Sequence, residues 1–199
     1  MHRLLVATNN PGKMKELRGL LGDLPVVVVT PEELGVGLSV VEDGSSYLEN
    51  ARKKATAFAA ASGLIALADD SGLEVEALEG EPGLHSRRYT SRSDATDADR
   101  RAFLLENLRG KARPWKARFR AAVVVALPGG EVHWAEGECR GEIIPEERGT
   151  GGFGYDPVFL VKGTGRTMAE LDMAEKNRLS HRARAVANAW PFLEQLFGR

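Results

Sequence analysis

Leu4-Leu5-Val6-Ala7 is an apolar run of strand length that breaks at once into Thr8-Asn9-Asn10-Pro11-Gly12-Lys13. No other segment limits so narrowly what the chain can fold into. Asn10 is a good helix N-cap and Pro11 a good first helical residue, because the N–H that Pro lacks has no partner in a first turn anyway. Leu17, Leu20 and Leu21 then recur at helical spacing until Gly22. The pattern is strand, tight turn, helix.

It recurs. Val26 to Val29 predicts a second strand, and Ser46 with Glu49 carries a capping-box signature for a second helix. Leu48, Ala51, Ala55, Phe58, Ala59 and Ser62 share a face of that helix, and Gly63 stops it. Leu64 to Ala68 is a fully apolar strand candidate ending in Asp69-Asp70-Ser71-Gly72; Leu73, Val75 and Ala77 then alternate with Glu74 and Glu76. Thr96 and Asp99 can cap a helix through Leu108, while Ala117 to Leu127 and Val132 to Cys139 read as strands joined across Pro128-Gly129-Gly130. The tail from Thr167 carries two helical segments, the second from near Ser180 with Ala183, Val186, Ala187 and Trp190 on one face. Interleaved strands and helices with a central hairpin predict an α/β fold on a mixed sheet flanked by helices.

The 199 residues suit one domain spanning 1–199, large enough for a core without metal or disulfide staples. Lys and Arg number 27 against 28 Asp and Glu, a net charge of −1 that disfavours duplex DNA as a partner. Cys139 is the single cysteine, which excludes an intrachain disulfide and a cysteine-rich zinc site. No apolar run approaches the roughly 18 residues of a bilayer span. A cytoplasmic protein without a membrane partner is expected.

Several segments offer chemistry. The strand-to-helix junction at Thr8, Asn9, Asn10, Pro11, Gly12 and Lys13 leaves unpaired N–H groups, a positive dipole end and an ammonium, which suits an anion as well as a simple cap. Asp69-Asp70 places two carboxylates after an apolar strand, where one could hold Mg²⁺ or orient a water, although Asp, Ser and Gly also make good turns. Glu42 matters only if it approaches Asp70 to complete an oxygen-ligand site. Gly149 to Pro157 sets glycines around Phe153 and Tyr155, allowing close backbone approach to a flat ligand and stacking by a ring. His181 and Arg182 put cations in the first turn of a helix, against its dipole, which suggests an anion or carbonyl oxygen to bind. Arg87-Arg88, Arg100-Arg101 and Lys116-Ala117-Arg118 read as solvated basic groups, with at most a role for Arg88.

Together these segments resemble the inosine triphosphate pyrophosphatase family. The matching stretches are Ala7 to Lys13, Glu49-Asn50-Ala51 with Lys54-Ala55, Ala68 to Leu73, Pro82 to Tyr89, Gly152 to Pro157, Lys176-Asn177 and Ser180-His181-Arg182. They run in order along nearly the whole chain, departing from the usual pattern at His85 and Arg87. The resemblance implies a two-lobed structure with a long mixed sheet and a central cleft, a homodimer, and Mg²⁺ dependence. It implies hydrolysis of ITP, dITP and XTP to the monophosphate and pyrophosphate. Thr8 to Lys13 would hold the triphosphate, aided by Lys54. Asp70 would position or deprotonate the attacking water, with Glu42 and Asp70 serving the metal. Ser71, Phe153, Gly154, Tyr155, Asp156, Lys176, His181 and Arg182 would bind the nucleotide, Phe153 stacking on the base. A pyrophosphatase for other modified nucleotides and a nucleotide-sensing module are the competing readings.

Overall fold

The computed structural model describes residues 2–198. Strand β1 (His2–Val6) leads into helix α1 (Pro11–Leu20), followed by β2 (Val26–Val29) and α2 (Tyr47–Ser62). Next come β3 (Ile65–Val75), α3 (Asp97–Leu108), β4 (Trp115–Ala126), β5 (Val132–Ile143) and β6 (Phe159–Val161), and the chain ends in α4 (Met173–Leu179) and α5 (His181–Phe197). One six-stranded sheet has the order β2-β1-β3-β4-β5-β6. β1 pairs in parallel with both β2 and β3, whereas β5 and β6 are antiparallel, so the sheet is mixed as expected.

The helix starts follow the capping chemistry. Asn10 Oδ1 accepts the Lys13 N–H at 3.1 Å with Pro11 in the first turn, and Thr8 Oγ1 accepts the Asn10 N–H at 3.2 Å. Ser46 caps α2 through the Glu49 N–H at 3.1 Å, but the Glu49 carboxylate reaches back to the N–H and hydroxyl of Ser45, one residue earlier than a capping box requires. Gly63 closes α2 in the left-handed region, and Thr96 with Asp99 forms a full capping box on α3.

Two compact units divide the chain: Met1–Asp70, Ala121–Gly137 and Arg182–Arg199 form the first, Ser71–Arg120 and Glu138–His181 the second. Within the first, Leu4 and Val6 of β1 pack in a core with Leu67, Val123, Leu17, Val186 and Leu193. Leu5 and Ala7 point into a separate core with Ala66, Ala68, Val124, Ala51, Ala55 and Phe58. β1 is therefore buried on both faces, which is why its sequence is a continuous apolar run rather than an alternating one. Burying one such Leu or Phe side chain contributes about 1.5–3 kcal/mol. The second unit centres on Leu73, Val75, Leu104, Leu108, Phe119 and Phe159. Here β3 does alternate: Glu74, between Leu73 and Val75, pairs with Arg118 at 2.8 Å.

Several boundaries differ from the sequence reading, three of them by enough to matter. β3 does not end at Asp69-Asp70 but runs on through Ser71-Gly72 to Val75, because both carboxylates find partners without a turn. Ala77 lies in a 3-10 turn (Glu76–Leu78) closed by Glu79 at φ 55°, so the alternating strand stops two residues early. β5 continues past Cys139 to Ile143, where Gly141, Glu142 and Ile143 register with β6. Among the described residues, no helix is long and apolar enough to cross a membrane.

Candidate functional site

In the first unit, an ionic cluster forms where α1, β3 and the start of α5 bring side chains together. Asp69 lies at its centre, 1% exposed. Its Oδ2 accepts from Lys13 Nζ at 3.1 Å and from Arg182 Nε at 3.0 Å, and Arg182 Nη1 also donates to Glu16. Lys13 and Glu16 are three residues apart on α1, the spacing that places both on one helix face. Burial alone would push the Asp69 carboxyl up, but Lys13 and then Arg182 hold it well below the usual carboxylate range. Burial pulls the Lys13 ammonium down, with Asp69 opposing. Oδ1 of Asp69 is buried and receives no hydrogen bond among the described residues.

Asp70, the next residue, sits in a different environment. Its Oδ2 accepts from Asn50 Nδ2 at 3.0 Å, and Lys54 Nζ lies 3.9 Å from its Oδ1. The same ammonium is 2.8 Å from Glu42 Oε1 and donates to the Asp69 carbonyl oxygen at 2.8 Å. Glu42 and Asp70 thus converge on one cation, the approach on which a role for Glu42 depended. Burial pushes the Asp70 carboxyl up, against the pull of Lys54 and Lys13. Adjacent carboxylates on one strand therefore have opposite shifts, which is how a site separates a fixed anion from a group that can exchange a proton. Among the described residues, no group of three or more His, Cys, Asp or Glu side chains gathers as a metal cage. Two carboxylates sharing one cation still fit an ion that takes its other ligands from phosphate oxygens and water.

The second unit holds the remaining candidates. Lys176 Nζ donates to Asp156 Oδ2 at 2.6 Å and lies 5.3 Å from the Phe153 ring centroid. Asp156 Oδ2 also accepts the Phe153 N–H at 3.0 Å, and the Tyr155 hydroxyl donates to the Ser86 carbonyl oxygen at 2.8 Å. His181 stacks on Phe119 with ring centroids 4.8 Å apart. The loop depends on Gly152, which has φ +75° and where a Cβ would overlap the Asp156 carboxylate. Gly152→Ala is expected to lose about 1–3 kcal/mol of local stability. Thermal melts check this, and an unchanged melting temperature would show that the loop geometry is not needed.

The Thr8–Lys13 candidates stay together at the start of α1, with Asn9 and Pro11 exposed and Gly12 half-buried; Ser71 is half-buried on β3. His85 and Arg87, where the family pattern is broken, are exposed in a 3-10 segment. Glu16 and Asn50 also belong here, and neither is given a role by the sequence reading. Asn50 carries a signal, since it lies in the Glu49-Asn50-Ala51 stretch of the resemblance, and Glu16 carries none. Arg101, read as solvated, has a side chain only 13% exposed.

A mixed sheet with lysines and carboxylates clustered beside a capped strand–turn–helix junction defines the class: an α/β protein with an ionic cluster near a helix N-terminus. The model of the Ham1 family matches residues 4–192, and the chain belongs to that family. It is 46% identical over 196 residues to the dITP/XTP pyrophosphatase of Desulforamulus reducens, covering 98% of this chain and 97% of that one. To a dITP/XTP pyrophosphatase of Thermus thermophilus it is 47% identical over 185 residues, 92% of this chain and 88% of the other. Among solved structures, a HAM1 protein from Coxiella burnetii superposes with a TM-score of 0.88 at 38% identity, covering 98% of this chain and all (100%) of that one. The Staphylococcus aureus Ham1 protein gives 0.85 at 36% identity, with 98% and 99% coverage.

Proposed function

We propose that the protein hydrolyses non-standard purine nucleoside triphosphates (ITP, dITP and XTP) to the monophosphate and pyrophosphate. It thereby removes deaminated purines from the cytoplasmic nucleotide pool before they enter DNA or RNA. The observation that carries this reading is the Asp69–Asp70 pair: one carboxylate locked between two cations, its neighbour desolvated and shared with Lys54 and Asn50. A module that only sensed nucleotides would gain nothing from a desolvated carboxylate beside a triphosphate unless a metal ion were bound there. Full-length similarity to relatives named dITP/XTP pyrophosphatases supports the same substrate class.

In this reading Thr8 to Lys13 and Lys54 hold the triphosphate, the α1 N-terminus and the two ammonium groups balancing its charge. Asp70 orients a water and takes its proton as the oxygen attacks the α-phosphorus; pyrophosphate leaves and no covalent intermediate forms. Glu42 and Asp70 are the residues that would hold Mg²⁺. When bound, Mg²⁺ supplies charge neutralisation at the phosphate oxygens. Phe153 stacks on the base, Tyr155, Asp156 and Lys176 set that loop, and Ser71 contributes to binding the nucleotide. His181 is the proposed donor to the 6-oxo group that hypoxanthine and xanthine share, whereas adenine would present a donor to a donor there. Arg182, engaged by Asp69 and Glu16, acts from behind by fixing Asp69 and the start of α5. The enzyme would work as a homodimer.

Pyrophosphate release from ITP, dITP, XTP, GTP and ATP, with and without Mg²⁺, tests the reading. Metal-dependent release from the inosine and xanthosine substrates is expected to exceed that from ATP by about 10²-fold or more, the penalty of an unpaired donor in a desolvated pocket. Equal release across the panel would refute base selection, and binding without release would point to a sensor.

A further inference from the structure

The loop that carries Phe153 is tied to α3 by two side chains one helical turn apart. Asp97 Oδ2 accepts the Gly154 N–H at 2.7 Å, and Arg101 Nη1 donates to the Gly154 carbonyl oxygen at 2.9 Å. Residues at i and i+4 share a helix face, so one face of α3 holds both polar groups of a single backbone residue. Arg101 is itself fixed, with Nε and Nη2 each 2.9 Å from one oxygen of Glu147. Arg100 occupies the other Asp97 oxygen and donates to the Ala95 carbonyl oxygen at 2.7 Å. Since Asp156 already accepts the Phe153 N–H, the peptide groups on both sides of the Phe153 Cα are held. The backbone angles that aim its ring are then set from two sides, by Asp156 within the loop and by α3 outside it. With the Phe153 and Gly154 N–H groups both engaged, neither is available to read a base edge.

We infer that Asp97 and Arg101 are positioning residues that aim the Phe153 ring at the purine and so govern base affinity rather than turnover. This rests on the function proposed above, in which Phe153 stacks on the base. The two residues act on the base end of the substrate only, so their removal separates substrate groups in a way that general loosening of the fold does not.

The experiment uses the full-length protein with Asp97→Ala, Arg101→Ala and Asp97→Asn. Both alanine variants are expected to raise KM for dITP about tenfold, a misplacement effect, while kcat stays within about threefold. Inhibition by IMP should weaken in parallel, and inhibition by inorganic pyrophosphate should not change. Asp97→Asn keeps an acceptor for the Gly154 N–H but sets an amide nitrogen against Arg100, and should return KM part of the way to the parent value. Unchanged KM in both alanine variants, or equal weakening of IMP and pyrophosphate inhibition, would overturn the positioning role. A parent protein that releases pyrophosphate from no nucleotide removes the function and this role with it; an active parent with unaltered variants removes this role alone.

Discussion

Asp70→Asn is expected to reduce pyrophosphate release from dITP by about 10³-fold, in the range that loss of a general base produces. The folded protein should survive and, at pH 7, be no less heat-stable than the parent. An asparagine at this position still offers an oxygen to Asn50 Nδ2, and Lys54 keeps both Glu42 and the Asp69 carbonyl oxygen. What disappears is the desolvated negative charge. Because burial raises the Asp70 carboxyl, the stability it contributes is fully present below the ordinary carboxyl value near pH 4 and is lost as pH rises through the raised value. At neutral pH the ionised group therefore weakens the fold, and the amide relieves that cost. This is the stability–activity trade-off expected of a catalytic carboxylate. The parent's rate should fall on acidification at a pH above the usual carboxylate range. Steady-state rates against pH and thermal melts of both proteins check the two halves. Retained activity would assign water activation to another group, and a lower melting temperature would mean that Asp70 is structural.

The contrast between Asp69 and Asp70 shows what the chain discloses locally and what it does not. Strands buried on both faces were legible because Leu4 to Val6 of β1 and the first half of β3 are apolar at successive positions. The capped starts of α1, α2 and α3 were legible because capping needs particular side chains within three residues. β3 was truncated at Asp69 because Asp, Ser and Gly favour turns by local chemistry. The partners that let the strand continue lie far away in sequence. Arg182 is 113 residues from Asp69, and Glu16 is 166 residues from Arg182. Arg101 and Gly154 are 53 apart, so the grip of α3 on the Phe153 loop left no mark in either segment. Lys13, Lys54 and Asp70 stood out as chemically capable residues. That Lys13 faces Asp69 while Lys54 joins Glu42 to Asp70 is a tertiary fact.

Asp69→Ala should be the most destabilising single substitution in this cluster. Lys13, Asp69, Glu16 and Arg182 carry two positive and two negative charges, and Asp69 is bonded to both cations. Removing it leaves the buried Arg182 and the half-buried Lys13 with Glu16 as the remaining acid of the four. Breaking a buried ion pair in this way costs about 3–5 kcal/mol, which for a chain of this size lowers the melting temperature by on the order of 10 °C. The pH dependence has the opposite sign to that of Asp70. The Asp69 carboxyl is depressed, so its contribution is present above the unfolded value near pH 4 and is lost as pH falls through the lower folded value. Melts between pH 7 and pH 3 should show the parent losing stability below about pH 4, with part of that slope missing in Asp69→Ala. Asp69→Asn, which keeps an oxygen for Arg182 but no charge, should fall between the two. An Asp69→Ala protein that melts with the parent at every pH would mean that the cluster does not hold the first unit together, and that Lys13 and Arg182 find their compensation elsewhere.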